Sequence, residues 1–114
     1  MLFFTLVSSG RRENLKVRAH VFVTGQVQGV FFRVETRYHA NRRNVVGWIR
    51  NTVDGRVESV FEGEKDDVEK LIEFCSSGPP SAQVTQVDVQ WQKHTGEFTD
   101  FEVRKTASIH SSCF

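Results

Sequence analysis

Apolar and polar residues alternate along the chain with two different periods. A period of two is typical of a strand with one buried face. It predicts strands at about residues 16–24, 45–51, 56–62 and 85–92, and a short last strand that contains Phe101 and Val103. A period near 3.6 is typical of an amphipathic helix, and it predicts helices at about residues 31–43 and 66–77. The elements therefore follow the order β-α-β-β-α-β with a short extra strand.

This order predicts an α+β protein, a ferredoxin-like two-layer sandwich with two helices on one antiparallel sheet. The first strand would turn one set of residues toward the helices, namely Val17, Ala19, Val21 and Val23. Its other face would hold Arg18, a solvated His20 and Phe22. On the fourth strand the inward set would be Val87, Val89 and Trp91.

Length and charge narrow the class of protein. A chain of 114 residues fits one domain, since roughly 100 to 150 residues is the commonest domain size. Lys and Arg number 15 and Asp and Glu number 14, so the charge balance gives no reason to expect a nucleic acid or a membrane as partner. We expect an N-terminal extension over residues 1–15, either flexible or an added strand, a domain over 16–104 and a tail over 105–114.

Cysteine usage and hydropathy suggest where the protein works. Cys75 and Cys113 are too few for a disulfide framework, and Cys75 lies on the apolar side of the second predicted helix. No apolar run reaches the length of a membrane span. We therefore expect a monomeric, cytoplasmic protein.

The nine residues from Gly25 to Arg33 join the first strand to the first helix. Gly25 and Gly29 allow unusual backbone dihedrals and a close approach to a ligand. The unpaired N–H groups at the start of the helix favour an anion, and Arg33 in the first turn could bind a phosphate through two N–H groups. On residue type alone, such a stretch is more often a tight turn with a solvated Arg than a phosphate site.

Here the sequence resembles the acylphosphatase family, and the resemblance continues in register over roughly residues 16 to 104. The stretches that carry it are Gly25-x-Val27-Gln28-Gly29-Val30-x-Phe32-Arg33, Gly47-Trp48-Ile49-x-Asn51, Asp54-Gly55, Gly78-Pro79-Pro80-x-Ala82-x-Val84 and Thr95-Gly96-Glu97-Phe98-x-x-Phe101-Glu102-Val103-Arg104. A short pattern met by chance would not extend so far.

The resemblance implies hydrolysis of the carboxyl–phosphate bond of acyl phosphates, with no metal or cofactor. It implies that Arg33 binds the phosphoryl group and that Asn51 positions the attacking water. It also implies that backbone N–H groups surround the phosphoryl group, from Gly25, Gln26, Val27, Gln28, Gly29 and Val30. Inorganic phosphate would be both product and competitive inhibitor. A crossover between parallel strands would bring Asn51 to the same sheet edge as the loop.

Two residues depart from the pattern of that family at the end of the first helix. Arg43 stands where the family usually has Leu, and Asn44 stands where it usually has Gly. Asn tolerates the left-handed conformation that ends a helix, so the second change should be mild. The first should alter how the helix end packs.

Three other functions are compatible with parts of the sequence. The first is a phosphate-binding regulatory module without turnover, although such a module would not need Asn51 to place water. The second is an RNA-binding sandwich, which would need more exposed aromatic and basic residues on the sheet. The third is hydrolysis of carbamoyl phosphate, as in the acylphosphatase-like module of hydrogenase maturation proteins.

Overall fold

A computed structural model describes residues 15–106, which form five strands and two helices. The strands are β1 (Lys16–Gln26), β2 (Val46–Asn51), β3 (Val57–Glu64), β4 (Gln83–Gln92) and β5 (Phe101–Val103). The helices are α1 (Phe32–Arg42), between β1 and β2, and α2 (Lys65–Ser77), between β3 and β4. Nearly all of the predicted extension and of the predicted tail, including Cys113, lies outside the described residues.

The strands form a single sheet in the order β4-β1-β3-β2-β5. β1 is antiparallel to both β3 and β4, and β2 is antiparallel to β3, so β1 and β2 run in the same direction as predicted. β5 pairs parallel to β2, which makes the sheet mixed at one edge. The chain crosses from the β4 edge to the β2 edge over residues 93–100 and reverses direction, so β5 arrives parallel to β2.

Both helices cover one face of the sheet and bury its apolar residues, which confirms the ferredoxin-like α+β fold. The sheet contributes fully buried side chains at Ala19, Val21, Val23, Ile49, Val57 and Phe61. The helices contribute Phe32, Ala40, Val68, Leu71 and Cys75. Cys75 is thus the core residue that its position predicted, and burial raises the pKa of its thiol to about 12.

Trp91 was expected among the inward residues, and it does face the helices, although it is not fully covered by them. It lies opposite Ala19 in the register of β1 and β4, hence on the helix face, but it remains 49% exposed. β4 is an edge strand, and Trp91 sits at the rim of the sandwich beside Lys65 and Glu69, where α2 begins. The helix does not extend far enough to cover the ring.

The end of α1 shows how the chain accommodates its two departures from the family pattern. Asn44 has a φ of 57°, so it adopts the left-handed conformation that its residue type predicted. Arg43 donates a hydrogen bond from Nη1 to Oδ1 of Asp67 at 3.1 Å. Arg43 thereby links the end of α1 to the first turn of α2 through an ion pair.

The outer face of the sheet is more ordered than the prediction of a solvated His20 implied. The Nε2 atom of His20 lies 2.7 Å from Oε2 of Glu58, and Nε of Arg50 donates to Oε1 of the same carboxylate at 2.8 Å. These contacts join β1, β3 and β2 across the sheet. His20 is therefore part of a polar network, because β3 supplies a carboxylate diagonally across from it.

Glu62 on β3 is fully buried, and it holds the segment that crosses the sheet. Its carboxylate accepts hydrogen bonds from the N–H of Thr95 at 3.0 Å, the hydroxyl of Thr95 at 2.8 Å and the N–H of Gly96 at 3.0 Å. Arg18 completes the set with an ion pair at 3.1 Å. Burial alone would raise the pKa of Glu62, but these bonds outweigh it and lower the pKa below its ordinary value of 4.5.

Neither helix in the described part of the chain has the length and the apolar run that crossing a bilayer would need.

Glu62 should make the stability of the protein depend on pH in acid. Its pKa is lower in the folded state than in the unfolded state, so its contribution is complete above about pH 4.5 and is lost as the pH falls through the lowered folded value. Glu62→Gln should lower the free energy of unfolding by about 2 kcal/mol at pH 7. The free energy of unfolding of this variant should also change less as the pH falls below 4.5. Urea unfolding at several pH values measures both effects. Glu73→Gln, on the exposed side of α2, should change neither, and an unaltered acid profile in Glu62→Gln would contradict this role.

Candidate active site

The candidate loop begins later than predicted, because β1 continues two residues past Thr24. Gly25 pairs with Val84 of β4 and Gln26 pairs with Gln83, so both belong to the sheet. Gly25 has a φ of 133°, and a Cβ atom there would lie 2.0 Å from the carbonyl oxygen of Gln83. Glycine is therefore required at position 25 by its close approach to β4. The segment outside regular structure is Val27 to Phe31.

Gln28 holds this loop against the turn between β2 and β3. Its Nε2 group donates to the carbonyl oxygen of Thr52 at 2.8 Å and to that of Arg56 at 2.9 Å. Thr52 directly follows Asn51, so the contact keeps the loop beside the end of β2. The sequence predicted only a backbone role for Gln28. The residues around Gln28 in the sequence do not indicate that its side chain has partners more than twenty residues away.

The backbone of the loop takes left-handed conformations at two positions. Gly29 and Phe31 both have left-handed conformations, with φ values of 73° and 64°. Alternation of left-handed and right-handed residues turns successive N–H groups toward one side, a concave arrangement that binds anions. The first hydrogen bond at the start of α1 runs from the N–H of Glu35 to the carbonyl of Phe31 at 3.0 Å. The N–H groups just before Glu35 therefore face the end of the helix, where its dipole favours negative charge.

Phe32 fixes the first turn of α1 and thereby the position of Arg33. The Phe32 ring is 2% exposed, and its centroid lies 6.0 Å from that of Phe74 on α2. Gly78 leaves room for this ring, since a Cβ at Gly78 would lie 2.9 Å from it. Because Phe32 points into the core, the next residue on the helix is directed toward the loop.

Arg33 lines a cavity of about 320 Å³ together with residues of the loop and the first turn of α1. The other lining residues are Val27, Gly29, Phe31, Phe32 and Val34. Arg33 is half-buried and makes no ion pair with any carboxylate within residues 15–106. Its guanidinium is therefore available to an anionic ligand.

Asn51 is the last residue of β2 and pairs with Val57 of β3. Its Oδ1 atom is buried and has no hydrogen-bond donor among the residues that the structure describes. Leaving a buried carbonyl oxygen without a hydrogen-bond donor lowers the stability of the folded state by about 1 to 3 kcal/mol. A donor from outside residues 15–106 would restore this stability. A bound water would be such a donor.

The turn after Asn51 is held by its own polar contacts. The N–H of Thr52 donates to the carbonyl of Arg56 at 2.9 Å, and Nε of Arg56 donates to Asp54 at 3.0 Å. Hydrogen bonds from the hydroxyl of Thr52 and from Arg56 lower the pKa of Asp54 to about 2. Gly55 has a φ of 93°, as its predicted place in a tight turn requires.

The structure brings some of the predicted site residues together and separates others. Val27, Gly29 and Arg33 share one cavity, whereas the side chain of Val30 packs against the core. Asn51 does not line that cavity and is connected to the loop through the contact of Gln28 with Thr52. Within residues 15–106 no group of three or more His, Cys, Asp or Glu side chains could hold a metal ion.

Several known proteins are similar to this chain in sequence and in fold. The family model described as Acylphosphatase matches residues 19–103. The chain belongs to the acylphosphatase family. It is 56% identical over 88 residues to an acylphosphatase of Pelotomaculum thermopropionicum, covering 77% of this chain and 96% of that protein. Membership makes it a hydrolase that acts on acyl phosphates and releases phosphate.

Solved structures agree with this assignment. An acylphosphatase from Coxiella burnetii superimposes with a TM-score of 0.74 at 39% identity, covering 78% of this chain and 93% of that one. Full-length HypF, in a phosphate- and nucleotide-bound form, superimposes with a TM-score of 0.73 at 27% identity. That match covers 82% of this chain but only 13% of HypF.

Gln28 should act on turnover through position. Gln28→Ala removes both hydrogen bonds to the β2–β3 turn and should lower kcat about tenfold, because a displacement of about 1 Å in a site can cost a hundredfold. Gln28→Glu should be worse, because its carboxylate cannot donate and also places a negative charge against the carbonyl oxygens of Thr52 and Arg56. Hydrolysis of benzoyl phosphate measures the effect, with Gln90→Ala on the exposed face of β4 as the matched control. Equal rates for Gln28→Ala and wild type would show that the loop does not need this contact.

Proposed function

We propose that the chain hydrolyses acyl phosphates by direct, in-line attack of a water molecule on phosphorus. In this proposal Arg33 and the backbone N–H groups of Gly25 to Val30 bind the phosphoryl group, with Gly25 and Gln26 contributing from the end of β1. Asn51 holds the attacking water. This phosphate-binding loop is supported by its left-handed residues, by its place at the start of α1 and by an Arg33 side chain without an ion pair in the described chain.

The observation that carries the proposal is the buried Oδ1 of Asn51, which lacks a donor among residues 15–106. An amide oxygen that accepts a hydrogen bond from water leaves a lone pair of that water available to attack. Gln28 holds the turn that follows Asn51 against the loop, which favours a water close to a phosphoryl group bound there.

The hydrolysis itself requires few further groups from the protein. Water forms a new bond to phosphorus, and the bond from phosphorus to the acyl oxygen breaks with its electron pair on that oxygen. The leaving group is a carboxylate, whose conjugate acid has a pKa of roughly 4 to 5, so it departs without a general acid. Arg33 and the aligned N–H groups stabilise the charge on the phosphoryl oxygens, which is the main demand of phosphoryl transfer.

The proton of the water needs an acceptor. The cavity at Arg33 has no carboxylate or imidazole among its lining residues. In our proposal a non-bridging oxygen of the substrate's own phosphoryl group takes the proton. The products are then a carboxylate and inorganic phosphate.

Carbamoyl phosphate is a second candidate substrate. The similarity to HypF in its phosphate-bound form favours it, but the match covers only a small part of that longer protein. A single assay that offers both compounds distinguishes the two. A non-catalytic module would bind phosphate and hydrolyse neither compound.

We also propose a monomer in the cytoplasm, organised as a domain over residues 16–104 between an N-terminal extension and a C-terminal tail. The near balance of charge and the buried Cys75 support this setting. Inorganic phosphate, as the product, should compete with substrate for the loop.

The purified protein should hydrolyse benzoyl phosphate at the same rate with and without a chelator, and inorganic phosphate should inhibit competitively. Asn51→Ala should lower kcat about a hundredfold or more, because it removes the group that orients water. The loss of benzoyl phosphate absorbance follows all three effects, with Asn41→Ala on the exposed face of α1 as control. A folded wild type that binds phosphate without hydrolysing the compound would leave only the binding module.

Arg33 should be sensitive even to a change that keeps its charge. Arg33→Lys loses the planar fork of donors, and we expect kcat/KM to fall by about two orders of magnitude, with a further loss in Arg33→Ala. Stability should stay near that of wild type, because Arg33 makes no ion pair within the described residues. Arg37→Ala, one turn later on the same helix, is the control. Full activity in Arg33→Lys would contradict two-pronged binding.

A further inference from the structure

Two apolar side chains beside Arg33 are exposed to solvent. Phe31 is 74% exposed and Val34 is 52% exposed, and both line the cavity that Arg33 also lines. An exposed apolar side chain is ordinary by itself, whereas a group of them on the wall of a charged cavity is typical of a ligand site. The wall of this cavity is thus polar at Arg33 and apolar beside it.

The fold gives no reason for a phenylalanine at position 31. Its φ of 64° is left-handed, which costs a residue with a Cβ about 1 to 2 kcal/mol relative to glycine. Packing offsets little of this cost, since the ring takes part in no aromatic pair within residues 15–106 and remains 74% exposed. Position 31 is also one that the family pattern leaves unspecified.

The direction of the reaction says which part of the substrate would meet this wall. In an in-line displacement the entering water and the departing acyl oxygen lie on opposite sides of phosphorus. Asn51, which holds the water in the proposed function, is not among the residues that line the cavity at Arg33. Phe31 and Val34 line the cavity beside Arg33. We therefore assign the departing acyl end of the substrate to this wall and the entering water to Asn51.

We propose that Phe31, supported by Val34, forms the acyl-group subsite and selects acyl phosphates with an apolar acyl group such as an aromatic ring. This inference rests on the proposed function, because it assigns the other end of the same substrate. The phosphoryl end is recognised by charge and is common to every acyl phosphate. Discrimination among substrates then comes from the apolar wall, where loss of a ring contact changes kcat/KM by about tenfold.

The test compares benzoyl phosphate with acetyl phosphate in wild type, Phe31→Asn and Phe31→Gly. Asn and Gly both tolerate the left-handed backbone, so either variant removes the ring and keeps the loop. In both variants kcat/KM for benzoyl phosphate should fall about tenfold, while that for acetyl phosphate changes less than about twofold. Inhibition by inorganic phosphate should be unchanged, because phosphate has no acyl group.

Tyr38 provides the matched control. It is an exposed aromatic residue on α1, 57% exposed, and it does not line the cavity, so Tyr38→Ala should leave both substrates unaffected. An unchanged ratio of the two substrates in the Phe31 variants would overturn the acyl subsite while leaving hydrolysis intact. Equal losses on both substrates, with weaker inhibition by phosphate, would assign Phe31 a backbone role instead. A wild type that hydrolyses neither substrate would overturn the proposed function itself.

Discussion

The geometry of the candidate site depends on how the sheet holds the end of β1. This strand is paired on both sides, with β3 and with β4, and Gly25 approaches β4 too closely for any side chain. The chain must therefore leave the sheet at one point and in one direction. Gln28 then holds the middle of the loop to the β2–β3 turn, and Phe32 anchors its end in the core. A loop fixed at its start, middle and end can present N–H groups in a set geometry, which is what electrostatic preorganisation requires.

Polar contacts on the outer face of the sheet help to hold the strands that carry the loop and Asn51. His20, Glu58 and Arg50 connect β1, β3 and β2, the strands whose ends carry the loop and Asn51. Glu62 holds the crossing segment, which delivers β5 to the far side of β2. β2 thus becomes an interior strand, paired along both edges. Asn51 is the last residue of this strand and pairs with Val57 of β3, so the sheet positions its backbone.

Features that depend on neighbouring residues could be predicted from the sequence. Features that depend on contacts between distant residues could not. Periodicity identified every strand and helix to within a few residues, and Asn44 was correctly expected to be left-handed because that preference belongs to the residue itself. Trp91 faces inward as predicted, but its remaining exposure could not be predicted because it depends on where α2 begins. The contact of His20 with Glu58 was missed because its partner lies on another strand. Gln28 was assigned only its backbone for the same reason, since its partners are in a turn that sequence spacing cannot connect to it.

The proposed roles of Arg33 and Asn51 rest on a shared physical property, which is that each lacks, among residues 15–106, the partner that its chemistry favours. A guanidinium without a carboxylate and a buried carbonyl oxygen without a donor both make the folded state less stable than full pairing would. Such groups persist only where the surrounding packing is strong enough to hold them, and here the sheet and Phe32 supply that packing. One carboxylate near the loop, that of Asp54, is paired with Arg56 within its own turn. In the proposed mechanism a phosphoryl group and a water molecule supply the missing partners of Arg33 and Asn51, so that mechanism requires no further side chain to ionise.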